Sequence, residues 1–549
     1  MKAITANPET IREVFSKKYI IPDFQRPYSW DNAPCEKLWE DIIDFCEQKE
    51  TREGSREDSY FLGNIVINPA SGAPHEAWEV VDGQQRLTTL LLLIKALHHR
   101  AGTVVALERC LRVEDALTTA FTDELRVNSQ VISEDRFHLQ AIILGDAEKV
   151  PKCPLSENYK LFGEKIDQWW QTKGQTAAAL NHLILTLLDS VVLLPIHCGS
   201  EDDALTIFET INNRGMSLSD ADIFKAKLYH NIPKEAQAAF IEDWNALENH
   251  DWLFRLLMHI LRAQQNDSSK EIGLRAFFTA KKGTLGDYAA IMRSLKIIYA
   301  IDSAWYGSHE IFALWQIMET YPNYYWNFPL FVFLHKYGTF DETAWEFALP
   351  EARMPEFLEL LHATVQYFFI KGLVYNSVNA VRDTIYRVCA DIEMERDYLA
   401  NYSGNIEGGD KVAFAAAIET DRLRRYQRGL VLLCAYLNPN QKKLDFAQFL
   451  DGKYDIEHIL PRQWNHYDGW TDTLWEEQIN LLGNLMPLGK ALNIKAKNEF
   501  FARKKIEYQK SKVQDALDLL ALPEWTPETL GAKQEEKVQR LLDYFQITP

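Results

Sequence analysis

Residues 79–97 read EVVDGQQRLTTLLLLIKAL, and the rest of the chain is organised around them. Glu79, Val80 and Val81 read as the end of a buried strand. Asp82-Gly83 is a turn signal. Behind it, Leu87, Leu90, Leu91, Ile94 and Leu97 recur at helical spacing on one face. Residues 82–86 therefore sit where a strand stops and a helix begins. The first amides of a helix have no internal partners and carry partial positive charge. A phosphate placed there receives N–H bonds, and Arg86 can add a bidentate contact. Asp82 can hold a divalent cation on such a phosphate, with Gln84 and Gln85 donating or accepting nearby. On this stretch alone, an aspartate cap followed by solvated glutamines explains the residues equally well.

Two segments lead into it: IPDFQRPYSW (21–30) and FLGNIVI (61–67). In the first, Pro22 and Pro27 keep the chain extended. Tyr28 and Trp30 are either anchors of the next helix or part of a pocket. In this order the three segments resemble the N-terminal domain of the GmrSD-like restriction proteins, whose fold is related to the ParB/sulfiredoxin nucleotide-binding fold. The resemblance implies a nucleoside triphosphatase in which Asp82, Gly83, Gln84, Gln85 and Arg86 handle phosphate and Gln25 and Arg26 line the same pocket. Residues 204–222, ALTIFETINNRGMSLSDAD, resemble the family's third motif, which implies that Asn212 and Arg214 approach the nucleotide. Read without the family, that segment is a joint between two helices, with Gly215 closing one, Ser219 capping the next and Arg214 in a surface ion pair.

The flanking pattern is mixed. We expect an amphipathic helix over 8–17, strands over 19–21, 60–68, 76–81 and 191–196, and a helix over 35–48. Residues 104–190 read as mainly helical. Residues 234–400 are helical and aromatic-rich; WQIMETYPNYYWNFPLFVF (315–333) fits a helical core better than a base-stacking platform. The Gly/Asn-rich stretch 401–410 is a candidate boundary. Thr526-Pro527 is a cap and first-turn signal for a last helix.

A second chemical site lies downstream. In YDIEHILP (454–461) polar and apolar residues alternate, so on a strand Asp455 and Glu457 face one side and His458 the other. LLGNLMPL (481–488) follows, then Asn493 and Lys497. Glu457-His458, then Asn484, then Asn493 resemble an HNH nuclease motif, a strand hairpin and one helix gripping a divalent cation. A neutral His458 can take a proton from an attacking water. Asn484 can hold that histidine or its loop, and Glu457 and Asn493 offer hard oxygen ligands for Mg²⁺ or Mn²⁺. Asp455 is a rival ligand. Lys497 stands where many such sites carry a second histidine, which implies fewer protein ligands and more water. Between Lys490 and Lys512 basic residues outnumber acids, a footprint for a phosphate backbone or simply a solvated helix face.

Composition sets the limits. The chain has 549 residues, 47% apolar, with seven cysteines and a formal net charge of −19. No stretch reads as long and apolar enough to span a bilayer. MKAITANPETIREVF lacks the apolar run of a secretory signal. Seven scattered cysteines without CxxC spacing suit reduced thiols in a cytoplasm. The acidic balance opposes indiscriminate adhesion to nucleic acid, confining DNA contact to particular grooves. The expected class is α+β, mostly helical: a ParB/sulfiredoxin-like nucleotide-binding domain over 1–235, a helical middle over 236–405 and a ββα-metal HNH nuclease domain over 406–549. The expected activity is a nucleotide- and metal-dependent endonuclease acting on double-stranded, modified phage DNA, with a nucleoside triphosphate and no membrane as partners; a homo-oligomer is compatible with the chain. Two alternatives stay open: a nucleotide-switched DNA-binding regulator with an inactive HNH domain, and a nuclease sensing backbone phosphorothioate.

Overall fold

The computed structural model describes residues 5–51, 59–70, 77–115, 117–131, 134–199, 219–280, 285–303, 308–377 and 379–547. Helix accounts for 61% and strand for 11%, the mostly helical α+β class expected. The chain divides into two compact units, Met1–Ala246 and Leu247–Pro549. Segments 236–246 and 247–405 thus fall in different units, and the helical middle beyond 246 shares a unit with the nuclease-like segment.

The first unit is built on a seven-stranded mixed sheet. Its order is Thr5–Ala6, Val191–His197, Tyr60–Pro69, Trp78–Asp82, Tyr19–Ile21, Val127–Ser129, with Glu9–Thr10 also on Val191–His197. Tyr60–Pro69 runs parallel to Val191–His197 and antiparallel to Trp78–Asp82, while Tyr19–Ile21 lies parallel to both of its neighbours. The strands expected near 19, 60, 78 and 191 form for the expected reason: apolar, β-branched residues with their core faces buried. The helix Gln84–Ala101 departs from the one-faced pattern. Leu92 and Leu93 are as fully buried as Leu90 and Leu91, so it is a central helix, apolar nearly all round.

Two expectations fail here. Only Ile11–Val14 of residues 8–17 is helical, because Glu9 and Thr10 pair with the sheet and Thr10 then caps the short helix. The mainly helical reading of 104–190 misses a hairpin of Arg112–Glu114 with Phe121–Leu125 and the strand Val127–Ser129. Val127 is fully buried, and the open edge of Tyr19–Ile21 supplies the pairing that a local pattern cannot reveal.

The second unit is helical. The aromatic stretch forms its core, with Trp326, Phe328, Phe331 and Phe333 buried. One helix, spanning Glu351–Tyr375, does pass the length and hydropathy test for a membrane span, contrary to the sequence reading, but two thirds of that window is buried in protein, and within it Lys371 pairs with Asp410 at 2.7 Å. Asp410 belongs to the Gly/Asn-rich stretch, which therefore packs into this unit. Tyr454–His458 pairs antiparallel with Leu485–Gly489, His458 opposite Leu485, and the helix Lys490–Ala496 follows. The last helix, Pro527–Tyr544, starts at the Thr526 cap as expected and holds the hairpin from behind. Lys537 Nζ donates to the Leu485 carbonyl at 2.6 Å, and the Gly483 N–H donates to Gln534 Oε1 at 2.6 Å.

A Cβ at Gly483 would lie 2.6 Å from the Gln534 backbone nitrogen, while one at Gly489 meets nothing within 4 Å. Gly483→Ala must push the hairpin off the last helix and should cost about 1–3 kcal/mol. Calorimetry should show a melting temperature lowered by several degrees for Gly483→Ala and nearly unchanged for Gly489→Ala.

Candidate functional sites

In the first unit, the strand–turn–helix joint forms as its sequence requires. Gly83 has φ +93°, and a Cβ there would lie 2.6 Å from Ile65 Cγ2, so only glycine fits the turn. Arg86 lies in the first helical turn. Its Nη1 donates to the Asn64 carbonyl at 2.6 Å, and its guanidinium fills the space beside Gly63, where a Cβ would sit 3.1 Å from Cζ. This contact ties the FLGN segment to the DGQQR segment. Burial raises the Asp82 carboxyl above its ordinary value, against the Gly83 N–H, Arg86 and Arg26, which favour the charged form. Burial likewise lowers the Arg86 guanidinium, with Asp82 opposing.

The glutamines have a different role from the one expected. Gln85 Oε1 accepts from the Ser29 and Trp30 N–H groups at 2.9 and 3.3 Å, and its Nε2 donates to the Pro27 carbonyl at 3.1 Å. Gln84 Nε2 donates to Gln25 Oε1 at 3.3 Å, and Gln25 Nε2 donates to the Val81 carbonyl at 3.2 Å. All three are buried. They lock loop 22–30 to the joint as positioning residues. Asn158, which sequence reasoning missed, adds a bond to the Trp30 carbonyl at 2.8 Å and one to the Tyr28 hydroxyl. Tyr28 is the anchor reading made real: its hydroxyl lies 2.8 Å from Thr89 Oγ1.

Arg26 makes no side-chain hydrogen bond among the described residues, though its charge acts on Asp82. Its buried Nε has no hydrogen-bond partner, and with Gln84, Thr88 and Asp135 it lines a cleft. The cleft encloses about 310 Å³ including its mouth, but the space open to the centre of a water molecule is about 20 Å³, room for roughly one water. A nucleotide has to widen it or lie across its mouth. Asn212 and Arg214 lie outside the described residues.

In the second unit, the strand end carries Glu457 and His458 as expected, but Glu457 turns inward. It is 4% exposed, and its Oε1 accepts from Lys504 Nζ at 2.7 Å and Tyr508 OH at 2.8 Å. Lys504 also donates to the His458 carbonyl at 2.5 Å. Burial pushes the Glu457 carboxyl up and the Lys504 ammonium down from their ordinary values. The ligand role expected of Glu457 is thus contested by an internal cation. Asp455 and Asn493 are half-buried, neither makes a side-chain hydrogen bond among the described residues, and the helix of Asn493 packs on the Tyr454–His458 strand. Both can give an oxygen to a cation, although no cluster of three His, Cys, Asp or Glu side chains forms a metal cage among the described residues. Lys497 closes the helix, exposed, at φ +50°.

His458 ends the strand as a neutral imidazole. Its Nε2 is buried and without a hydrogen-bond partner among the described residues, and the nearby Asn480 favours the protonated ring. Burial and the nearby charges of Arg462 and Lys504 lower the imidazole to about 4, with Asn480 opposing. Asn484 holds the loop after it, not the ring. Its Oδ1 accepts from the Leu460 N–H at 2.7 Å and its Nδ2 donates to the carbonyls of Leu460 and Ile479. Asn480 carried no sequence signal. Lys504 and Tyr508 did: they share a helical face with the buried Phe501. Part of the basic run is engaged within the protein: Lys504 is buried, Lys505 bonds the Leu522 carbonyl, and at the surface Lys510 pairs with Glu507 and Lys512 bonds Gln448. Lys490, Lys495, Lys497 and Arg503 remain exposed.

Residues 11–229 match the family model of the GmrSD restriction endonuclease N-terminal domain. Residues 409–539 match that of the GmrSD restriction endonuclease C-terminal domain. No curated protein matches the chain. The two matches bracket both candidate sites and cover well over half of the sequence, and the chain belongs to the GmrSD restriction endonuclease family.

Proposed function

We propose that this type IV restriction nuclease cuts modified foreign DNA in the cytoplasm at His458, under control of a nucleoside triphosphate bound at residues 82–86. The observation that carries the reading is the state of His458, a neutral imidazole with an unpartnered Nε2 beside a rigidly held loop. In the cleavage step Nε2 takes the proton of the attacking water. Asn484 fixes the loop that leaves the strand. Asp455 and Asn493 would hold Mg²⁺ or Mn²⁺, whose charge would offset that developing on the scissile phosphate, while Glu457 stays bonded to Lys504 and Tyr508. Arg462, Lys490, Lys495 and Arg503 are exposed cations that suit the DNA backbone. At the other site, Arg26, Asp82 and Arg86 address the triphosphate, with Gln25, Gln84 and Gln85 setting their positions. Coupling requires the nucleotide to prefer one arrangement of the chain over another.

A second reading, a nucleotide-switched DNA-binding regulator, is favoured by the Lys504 ammonium seated on Glu457. Incubation with Mg²⁺ or Mn²⁺ and a panel of unmodified, base-modified and phosphorothioate DNA separates the readings. A regulator leaves every substrate uncut, a phosphorothioate sensor cuts only the sulfur-modified one, and the proposed nuclease cuts base-modified DNA and stops when EDTA is added.

His458→Ala should lower cleavage by about 10²-fold or more while triphosphate hydrolysis stays near the wild-type rate. Wild-type cleavage by that variant would remove His458 from the reaction. Asp82→Asn should do the reverse at the first site. It should keep the fold, because burial already disfavours the charge there, and should lose triphosphate hydrolysis. Unchanged hydrolysis would remove Asp82 from the nucleotide site.

A further inference from the structure

Lys225 is the least explained charge in the first unit. It lies in the helix Asp220–His230 and is 5% exposed. Among the described residues no carboxylate comes within ion-pairing distance of its ammonium, and it donates no hydrogen bond. Trp244 offers only its ring face, 5.7 Å from Nζ. The two carboxylates whose charge it feels, Asp222 and Asp23, are engaged elsewhere. Asp222 Oδ2 accepts from the Ser219 N–H in the helix cap at 3.1 Å, and Asp23 Oδ2 accepts from Tyr229 OH at 2.5 Å. Burial lowers the lysine to about 8. Folded proteins rarely bury a lysine side chain without acceptors for its ammonium, and such a cation points to an anion that arrives from outside.

A separate observation says where that anion sits. Tyr229 is one helical turn beyond Lys225, on the same face. It reaches loop 22–30, through its bond to Asp23 and through its ring, 5.1 Å from that of Phe24. Three residues after Asp23 comes Arg26, whose buried Nε has no hydrogen-bond partner among the described residues. Three residues of extended chain span at most about 10 Å. The helix that carries Lys225 is thus tied through Tyr229 to the loop that carries Arg26, and Arg26 opens onto the cleft that Gln84 also lines.

We propose that Lys225 is a phosphate-contacting residue of this site: its ammonium pairs with the phosphates of the bound nucleoside triphosphate, across loop 22–30 from Arg26. This rests on the nucleotide reading above and adds to it a residue outside the DGQQR and IPDFQRPYSW segments.

The test uses the full chain, with inorganic tripolyphosphate, ATP and GTP as probes, by thermal shift and calorimetric titration. The wild type should melt higher with at least one probe. Lys225→Met should melt without ligand at or above the wild-type temperature, because a side chain of similar length replaces an unpaired charge, and should bind that probe at least tenfold more weakly. Lys225→Arg should recover most of the affinity. Binding by Lys225→Met equal to wild type overturns the assignment of Lys225. So does a ligand-free Lys225→Met protein that melts well below wild type or fails to fold, since the lysine is then structural. Amine labelling of the wild type, read by mass spectrometry, needs no variant: protection of Lys225 by the probe supports the contact and unchanged labelling overturns it. A wild-type chain that responds to none of the probes defeats the nucleotide reading itself, a result distinct from a Lys225 failure.

Discussion

The amide of Gln85 makes three hydrogen bonds to the backbone of residues 27–30, and the amide of Asn484 makes three to the backbone of residues 460 and 479. Both side chains are buried. Each stands in for a neighbouring strand, satisfying N–H and C=O groups of a loop that has no ladder to join. A buried backbone group left without a partner costs about 1–3 kcal/mol, so loss of either amide would free several groups at once. Site residues on loops need such rigid support, because a loop alone does not hold a side chain to the tolerance that chemistry requires. Arg26 and His458 are both adjacent to loops fixed in this way.

Much of this was legible in the sequence where the signal was local. Alternation gave the strands at 60–69 and 78–82. Asp82-Gly83 gave the turn, and the +93° backbone angle of Gly83 is the reason glycine stands there. Thr526-Pro527 gave the start of the last helix. Where the deciding partner is distant, the sequence was silent or misleading. The strand Val127–Ser129 exists because Tyr19–Ile21, more than a hundred residues earlier, leaves an edge to pair. Glu457 reads as a free ligand until Lys504 and Tyr508 arrive from a helix some fifty residues on. The two glutamines of DGQQR read as ligand contacts because nothing in a linear pattern distinguishes an amide facing a cleft from one bonded to loop backbone.

The two units handle buried charge differently. In the second, Lys504 meets Glu457, Lys371 meets Asp410, and Arg540 meets Asp515. Breaking one member of such a pair strands the other in low dielectric, so these are fixed struts. In the first unit, among the described residues, the buried Lys225 and the half-buried Arg26 have no carboxylate within ion-pairing distance, and Arg86 bonds the Asn64 carbonyl while Asp82 lies near enough to act on its charge. A domain that leaves several cations unpaired around one loop is less stable than it could be, a common signature of a binding site kept ready for a charged ligand.

The net charge of −19 need not prevent such a chain from approaching DNA. At physiological salt the screening length is about 8 Å, so a phosphate at the surface responds to the charges within that range and hardly at all to the chain as a whole. The exposed cations Arg462, Lys490, Lys495, Lys497 and Arg503 all come from the segments that flank the His458 hairpin. Acidic residues elsewhere disfavour random adhesion, while this cluster sets the local field. The same screening argument limits what the cluster can do alone: it can hold a backbone near His458 but cannot read a sequence or a modification.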